Sequence, residues 1–253
     1  MTDKTASQLN FFSTIKVGGW TLVSRVAGLI RDIFTTNLLG ASIFHDIFVV
    51  VLKIPNVFRK LFAEGAFSQA FIPIYSEYIG SKDEKGSQDF LNALFGILLS
   101  ALFIFTTLAL LFAPVFILIF APGFYFDVQK QDLAVSLLRI MFPYLALISL
   151  VAFAAGIQNS HNKFSIPALT PLIFNLSLIG SAWLVAPKID IPVMALAWGV
   201  LLAGFLQLLF QIAPLASIKK IPVPKIDFQN PGVKKFFVLI FPAILAGGIA
   251  QIN

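Results

Sequence analysis

Apolar residues fall in long runs along the chain, and polar residues gather between the runs. Six runs are long enough for a membrane-spanning helix, which needs about 20 mostly apolar residues. A seventh begins near residue 233 and continues to Asn253, so we expect this chain to be the N-terminal part of a longer protein. The predicted spans are 15–38, 47–78, 90–120, 133–157, 164–186 and 193–218. The predicted fold class is all-α, a polytopic transmembrane bundle with six complete helices and the start of a seventh.

Composition agrees with a membrane location. The chain is 58% hydrophobic and 12% charged, whereas a soluble domain carries about 25% charged residues. The first apolar run continues past the short core of a signal peptide, and no small-residue cleavage site follows it, so we expect it to form the first helix. The chain has no cysteine, which excludes disulfides and thiol chemistry.

The charges of the loops predict the orientation. Ten lysines lie on one side of the predicted membrane, and two, Lys130 and Lys188, lie on the other. The ten are Lys4, Lys16, Lys82, Lys85, Lys163, Lys219, Lys220, Lys225, Lys234 and Lys235. Because basic loops stay in the cytoplasm, we expect a cytoplasmic N-terminus.

The segment between the sixth and seventh spans combines prolines with lysines. This pattern is typical of a linker between two helical bundles. Its positive charge also favours contact with the anionic headgroups of the inner leaflet. Membrane orientation and the joining of two bundles are nevertheless sufficient to explain this segment. We therefore predict a lobe of six helices at 1–218, a basic linker at 219–232 and the beginning of a further helix at 233–253.

Apart from the lysines at the span ends, six basic residues remain inside the predicted spans. A charge at the centre of a spanning helix costs about 2.5–3.5 kcal/mol on insertion scales, and it is tolerated where the group faces a bundle interior or a wet cavity. Such residues are therefore candidates for function. They are Arg25, Arg31, Lys53, Arg59, Lys60 and Arg139.

The motif SRVAGLIRD, residues 24–32, carries three charges in the first span. At helical spacing Ser24, Arg25, Arg31 and Asp32 fall within one polar arc about 120° wide, and apolar side chains occupy the remaining surface. We expect this arc to line a cavity. The alternative is a salt bridge of Asp32 that only fixes helix packing, but one acid cannot neutralise two arginines.

The second span carries a similar row of charges. Asp46, Lys53, Lys60 and Glu64 are spaced by 7, 7 and 4 residues, which places them on one helical face. Pro55 is expected to kink the helix within that row. We expect Lys53 and Asp46 to lie deep in the membrane. Arg59, Lys60 and Glu64 are expected at the cytoplasmic surface, with a gate role and a plain interface role both open.

Arg139 lies near the extracytoplasmic end of the fourth span, where its side chain can reach outward to water.

A cavity with surplus arginine favours an anion, and the planar guanidinium pairs well with phosphate. An amphipathic phosphate-bearing substrate fits such a bundle, whereas exporters of organic cations need an acidic cavity. The sequence has no HExxH, GxSxG or P-loop motif and no clustered acidic metal ligands. We therefore expect a transporter and no enzyme, with no metal, cofactor or nucleic-acid partner.

SRVAGLIRD, together with FAEGAFSQAF at residues 62–71 and NKFSIPALTPLIFNLSLI at 162–179, resembles the MurJ (MviN) family of bacterial lipid II flippases. That family belongs to the multidrug/oligosaccharidyl-lipid/polysaccharide exporter superfamily. The resemblance implies fourteen helices in two six-helix lobes plus a C-terminal pair, and alternating access in the bacterial cytoplasmic membrane. It also implies lipid II, membrane lipids and a C-lobe outside this chain as partners.

The resemblance also implies roles for individual residues. The substrate-binding residues would be Arg25, Arg31, Arg59, Lys53 and Asn56, and the gating or structural charges would be Asp32, Asp46, Lys60 and Glu64. The resemblance implies an arginine at the position of Lys60, and a lysine binds phosphate with less directionality. A transporter of another polyprenyl-diphosphate glycan and a non-transporting truncated partner remain alternative interpretations.

Overall fold

The structure is a computed structural model that describes residues 3–59, 66–124 and 126–252. The described residues form ten α-helices and no strand, which confirms the predicted all-α class. The helices are α1 (Asp3–Leu39), α2 (Ile43–Phe58), α3 (Phe67–Gly80), α4 (Glu84–Leu111), α5 (Ala113–Phe120), α6 (Val128–Met141), α7 (Pro143–Ser160), α8 (Ser165–Gly180), α9 (Pro192–Ser217) and α10 (Pro231–Ile252).

Four segments within the described residues are long and apolar enough to span a membrane: Glu84–Leu111, Val128–Ser160, Ser165–Lys188 and Pro192–Ser217. They correspond to the third to sixth predicted spans. The first predicted span lies inside the continuous helix α1. Of the second predicted span, the described parts are α2 and α3, and residues 60–65 lie outside the described residues. Lys60 and Glu64 belong to that segment.

Side-chain caps and prolines determine several helix ends. Asp83 accepts a hydrogen bond from the amide of Gly86 at 2.8 Å and begins α4. Pro114, which has no amide hydrogen, lies at the start of α5 and separates it from α4. In an uninterrupted helix, residue 114 would donate to the carbonyl of Leu110. Arg139 supplies that donor instead, with its Nε 3.3 Å from the Leu110 oxygen.

Two buried clusters hold the helices together. The first joins α2, α6, α7 and α9 and includes Phe142, with Phe58 packed against it. The second joins α3, α4, α7 and α10 around Phe71 and Phe90, whose rings stack with centroids 5.9 Å apart. Aromatic contacts of this kind add about 0.5–1.5 kcal/mol beyond the area they bury. Much of the unusually high phenylalanine content therefore serves packing between helices.

The linker lies across α4 as an extended segment. Asn92 binds it twice: its side-chain oxygen accepts from the amide of Val223 at 2.8 Å, and its carbonyl accepts from the amide of Lys225 at 3.1 Å. Gly96 lies directly beneath the Lys225 backbone, where a side chain would collide with it. The linker is thus fixed to the lobe along α4. The predicted domain boundary at 219–232 stays a prediction.

Candidate functional site

A cavity of about 770 Å³ lies between the helices of the lobe. The helices α1, α2, α7 and α8 form most of its wall, with single residues added from α3 and α9. Four residues proposed from the sequence line it: Arg31, Asp32, Asn56 and Arg59. Part of the polar arc of α1 and the end of α2 therefore line the same cavity.

Arg31 is fixed in the wall by two partners. Its Nε and Nη2 donate to the same Asp32 oxygen, Oδ1, at 3.0 and 2.7 Å. Its Nη1 donates to Oδ1 of Asn175 on α8 at 3.1 Å. The Arg31 side chain is 26% exposed and that of Asp32 is 63% exposed, so the pair lies at the cavity surface and not in the packed interior.

Asn175 connects α1 to α8. Its side chain is 5% exposed, and its Nδ2 donates to the carbonyl of Ser24 at 2.9 Å while its Oδ1 accepts from Arg31. Gly28 of α1 lies beside the amide, where an added Cβ would be in ordinary van der Waals contact with it. The neighbouring Phe174 ring lies 5.8 Å from the Arg31 Cζ, within cation–π range.

Sequence analysis missed Asn175 and Phe174. A signal for the first was available, because Asn175 is the one asparagine in the predicted span 164–186. Polar residues inside apolar spans usually face a bundle interior. No signal distinguished Phe174 from the other phenylalanines.

Arg59 and Asn56 lie together near the end of α2. The Arg59 Nε donates to the Asn56 Oδ1 at 3.3 Å, and both residues line the cavity. The spacing of three residues places the two side chains on the same helical face. Arg59 is therefore held at the same wall as Arg31, on a different helix.

The structure places the other candidates elsewhere. Arg25, Asp46 and Lys53 are exposed and lie outside the cavity lining. The α2 face that lines the cavity carries Phe48 and Leu52 in place of the predicted charges. The roles of these three residues stay predictions, as do those of Lys60 and Glu64, which lie outside the described residues.

The charge of the described lining is positive. Two arginines, Arg31 and Arg59, stand against one carboxylate, Asp32, and the remaining titratable residues of the described lining are His45 and Tyr144. The guanidinium groups offer forked donors that match phosphate or carboxylate oxygens. In a site partly withdrawn from water such contacts are stronger than in bulk solvent. The arrangement is suited to holding an anionic group between α1 and α2.

These features define a class: a helical membrane protein with a positively charged cavity between its helices. Within that class, the chain belongs to the MurJ family, because the family model described as "Lipid II flippase MurJ" matches residues 35–253. The resemblance inferred from the sequence is thereby confirmed.

Individual relatives agree with this assignment. The chain is 38% identical over 247 residues to the lipid II flippase MurJ of Burkholderia cenocepacia, covering 96% of this chain and 48% of the relative. It is 38% identical over 260 residues to the probable lipid II flippase MurJ of Vibrio cholerae, covering 100% of this chain and 50% of the relative. The chain thus spans about half the length of the curated relatives it matches.

A solved structure shares the fold. The structure titled "Lipid II flippase MurJ, inward closed conformation" superimposes with a TM-score of 0.79 at 30% sequence identity. The match covers 94% of this chain and 49% of the other. The predicted architecture, one lobe of a two-lobe transporter, agrees with this coverage.

Proposed function

We propose that this chain is the N-lobe of a lipid II flippase, which moves lipid-linked peptidoglycan precursor from the inner to the outer leaflet of the bacterial cytoplasmic membrane. The observation that carries the proposal is the fixed guanidinium of Arg31 in the cavity wall of a MurJ-family chain. An anionic lipid-linked substrate needs positive charge that faces a cavity, and an arginine fork is suited to its diphosphate.

In this mechanism the chain's residues have separate tasks. Arg31 and Arg59 bind the diphosphate from α1 and α2, and Asn56 positions Arg59 through its side-chain oxygen. Asp32 and Asn175 hold the Arg31 guanidinium in one orientation, so that little side-chain freedom is lost when the anion arrives. The substrate is bound and moved without a covalent step, so the chain acts in transport and not as an enzyme.

Five further charges have a different task in this proposal. Arg25 and Lys53 complete the cationic site when a C-lobe closes against this lobe. Asp46, Lys60 and Glu64 change partners between the inward-facing and outward-facing states. Such exchange of contacts between two rigid lobes is the basis of alternating access. The N-terminus is cytoplasmic in this arrangement, as the lysine distribution predicts.

The test is lipid II translocation in cells whose only copy of the full-length protein carries Arg31→Ala. Lipid II accessible at the outer face should fall about tenfold or more while total lipid II rises, because a charged hydrogen-bonding partner of the substrate is lost. Arg139→Ala is the matched control, since it removes an exposed arginine outside the cavity lining. Unchanged translocation in Arg31→Ala, at normal protein level, would point to another polyprenyl-linked cargo or to a packing role.

A further inference from the structure

A second concave surface lies on the outer side of the α8–α9 pair. It has a volume of about 740 Å³ and is lined almost entirely by apolar side chains, and we call it the α8–α9 groove. Its walls include Ile166, Ile173, Leu206, Leu209, Phe210 and Ala213. Leu209 is 64% exposed and Phe210 is 39% exposed, so the groove is open to the surroundings of the lobe.

The groove is separate from the central cavity. The cavity is lined by Thr170 and Gln207, and the groove by neighbouring residues on the opposite sides of the same two helices. Between them Gln207 donates to the carbonyl of Thr170 at 2.9 Å, and Gln211 donates to the Thr170 hydroxyl at 3.0 Å. Both glutamines are buried. This hydrogen-bonded wall separates the groove from the cavity, so a ligand of the groove would be distinct from a ligand of the cavity.

The dimensions fit one leaflet of a bilayer. Eleven residues separate Leu206 from Ser217 at the two ends of the groove on α9, which is about 16 Å along a helix. Half of the hydrocarbon core of a bilayer is about 15 Å thick. The groove therefore has the length of an acyl chain of a single leaflet, and its end at Ser217 lies on the side with the lysine-rich loops.

A cationic group closes that end. The Lys163 Nζ donates to the Ser217 Oγ at 2.8 Å, and both residues line the groove. Lys220 follows three positions after Ser217, and its amide donates to the Leu215 carbonyl at 3.1 Å, which places its backbone just beyond the same end of α9. Of the described residues that line the groove, none is acidic. This end of the groove thus offers the Lys163 ammonium group and the Ser217 hydroxyl, with Lys220 close by in the chain and no carboxylate among the described lining residues.

We propose that the α8–α9 groove binds one anionic phospholipid of the inner leaflet, with an acyl chain along α9 and the phosphate at Lys163, Ser217 and Lys220. Zwitterionic lipids are disfavoured, because none of the described lining residues is a carboxylate that could pair with a choline or ethanolamine group. The apolar walls bind the chain and the lysines select the headgroup. The site needs only a membrane location and does not depend on the proposed transport.

The experiment uses the full-length protein in phosphatidylethanolamine vesicles that contain a trace of photoreactive phosphatidylglycerol or photoreactive phosphatidylcholine. After illumination, labelled peptides are identified by mass spectrometry. Phosphatidylglycerol should label the segments 163–173 and 206–217 far more than phosphatidylcholine does. In the double variant Lys163→Ala/Lys220→Ala this labelling should fall about tenfold, because each lysine near the surface contributes to anionic lipid affinity.

Two further variants make the result specific. Lys82→Ala/Lys85→Ala removes the same charge from the turn before α4 and from its first turn, and should leave groove labelling unchanged. Ala213→Trp fills the groove and should reduce labelling by both lipids. Equal labelling by the two lipids in the wild type, or full phosphatidylglycerol labelling in the Lys163→Ala/Lys220→Ala protein, would overturn the proposal and identify ordinary boundary lipid. An equal loss in the control double variant would overturn it as well.

Discussion

Asn175 holds the guanidinium of Arg31 across the interface between α1 and α8, with 3.1 Å between the Asn175 Oδ1 and the Arg31 Nη1. The two residues are 144 positions apart in the chain, and the same amide also donates to the Ser24 carbonyl. One buried side chain therefore determines both the packing of two helices and the orientation of the proposed substrate-binding arginine.

The first prediction concerns Asn175→Ala. The change removes both hydrogen bonds and leaves the Ser24 carbonyl and Arg31 without this partner. We expect a loss of about 1–3 kcal/mol in the free energy of unfolding. We also expect less lipid II at the outer face, as in Arg31→Ala. Thermal unfolding in detergent and outer-face lipid II report the two effects. Asn37→Ala, an exposed asparagine of the same α1 helix, should change neither. Normal translocation in Asn175→Ala would contradict the orienting role.

The second prediction separates charge from geometry at residue 31. Arg31→Lys keeps the positive charge but cannot donate to Asp32 and Asn175 from one planar group. We expect partial translocation, between that of the wild type and that of Arg31→Ala. The measurement is outer-face lipid II at matched protein levels. Full activity of the lysine variant would instead mean that long-range electrostatics are sufficient.

The helices were largely predictable from the sequence, because long apolar runs have few alternatives in a membrane. The polar arc of α1 was also partly predictable. Ser24 and Thr35 are buried and Arg31 is half-buried, as expected for a face directed inward. The arc has two parts, however. Arg25 and Asp32, at its edge, are exposed in this lobe.

The remaining features depend on contacts between distant segments, which helical periodicity does not encode. Spacing grouped Asp46 with Lys53, but it did not reveal that Asn56 and Arg59 occupy the face of α2 that lines the cavity. The position of the linker against Asn92 and Gly96 likewise depends on the packing of α4. Sequence pattern predicts which face is polar, and tertiary packing determines what that face meets.

The third prediction concerns the linker. Gly96→Leu places a side chain where the Lys225 backbone now lies, so the linker must move away from α4. We expect faster tryptic cleavage after Lys220 and Lys225 and a lower unfolding temperature. Gly180→Ala is the control, because a Cβ at that helical glycine meets open space. Equal protection of the linker in Gly96→Leu and the wild type would show that its contact with α4 is dispensable.

The fourth prediction is a pH dependence that arises from His161. Its Nε2 lies 3.0 Å from the Tyr75 hydroxyl, and burial, followed by Lys220 and Lys163, lowers its pKa. The unfolded chain therefore binds a proton at a higher pH than the folded chain does. The part of the folding stability that depends on a neutral His161 is fully present above the ordinary histidine pKa of about 6.5. It is lost as the pH falls below that value.

Thermal unfolding of the purified protein between about pH 7 and pH 5 tests this. The wild type should lose stability on acidification, and His161→Gln, which keeps a polar partner for Tyr75 but does not titrate, should lose less. An identical pH profile in the two proteins would exclude His161 as the source of the dependence.

The last prediction concerns Arg139, for which sequence analysis proposed only that the side chain reaches outward to water. In the structure its Nε donates to the Leu110 carbonyl, the acceptor that Pro114 leaves without its helical donor. Arg139→Ala should therefore lower the unfolding temperature by a few degrees, corresponding to about 1 kcal/mol, and leave lipid II translocation near the wild-type level. Arg31→Ala should have the opposite effects: translocation should be lost, and the unfolding temperature should change less than in Arg139→Ala. If Arg139→Ala abolished translocation at normal protein level, this arginine would belong to the transport pathway. The proposal that it mainly stabilises the break between α4 and α5 would then be wrong.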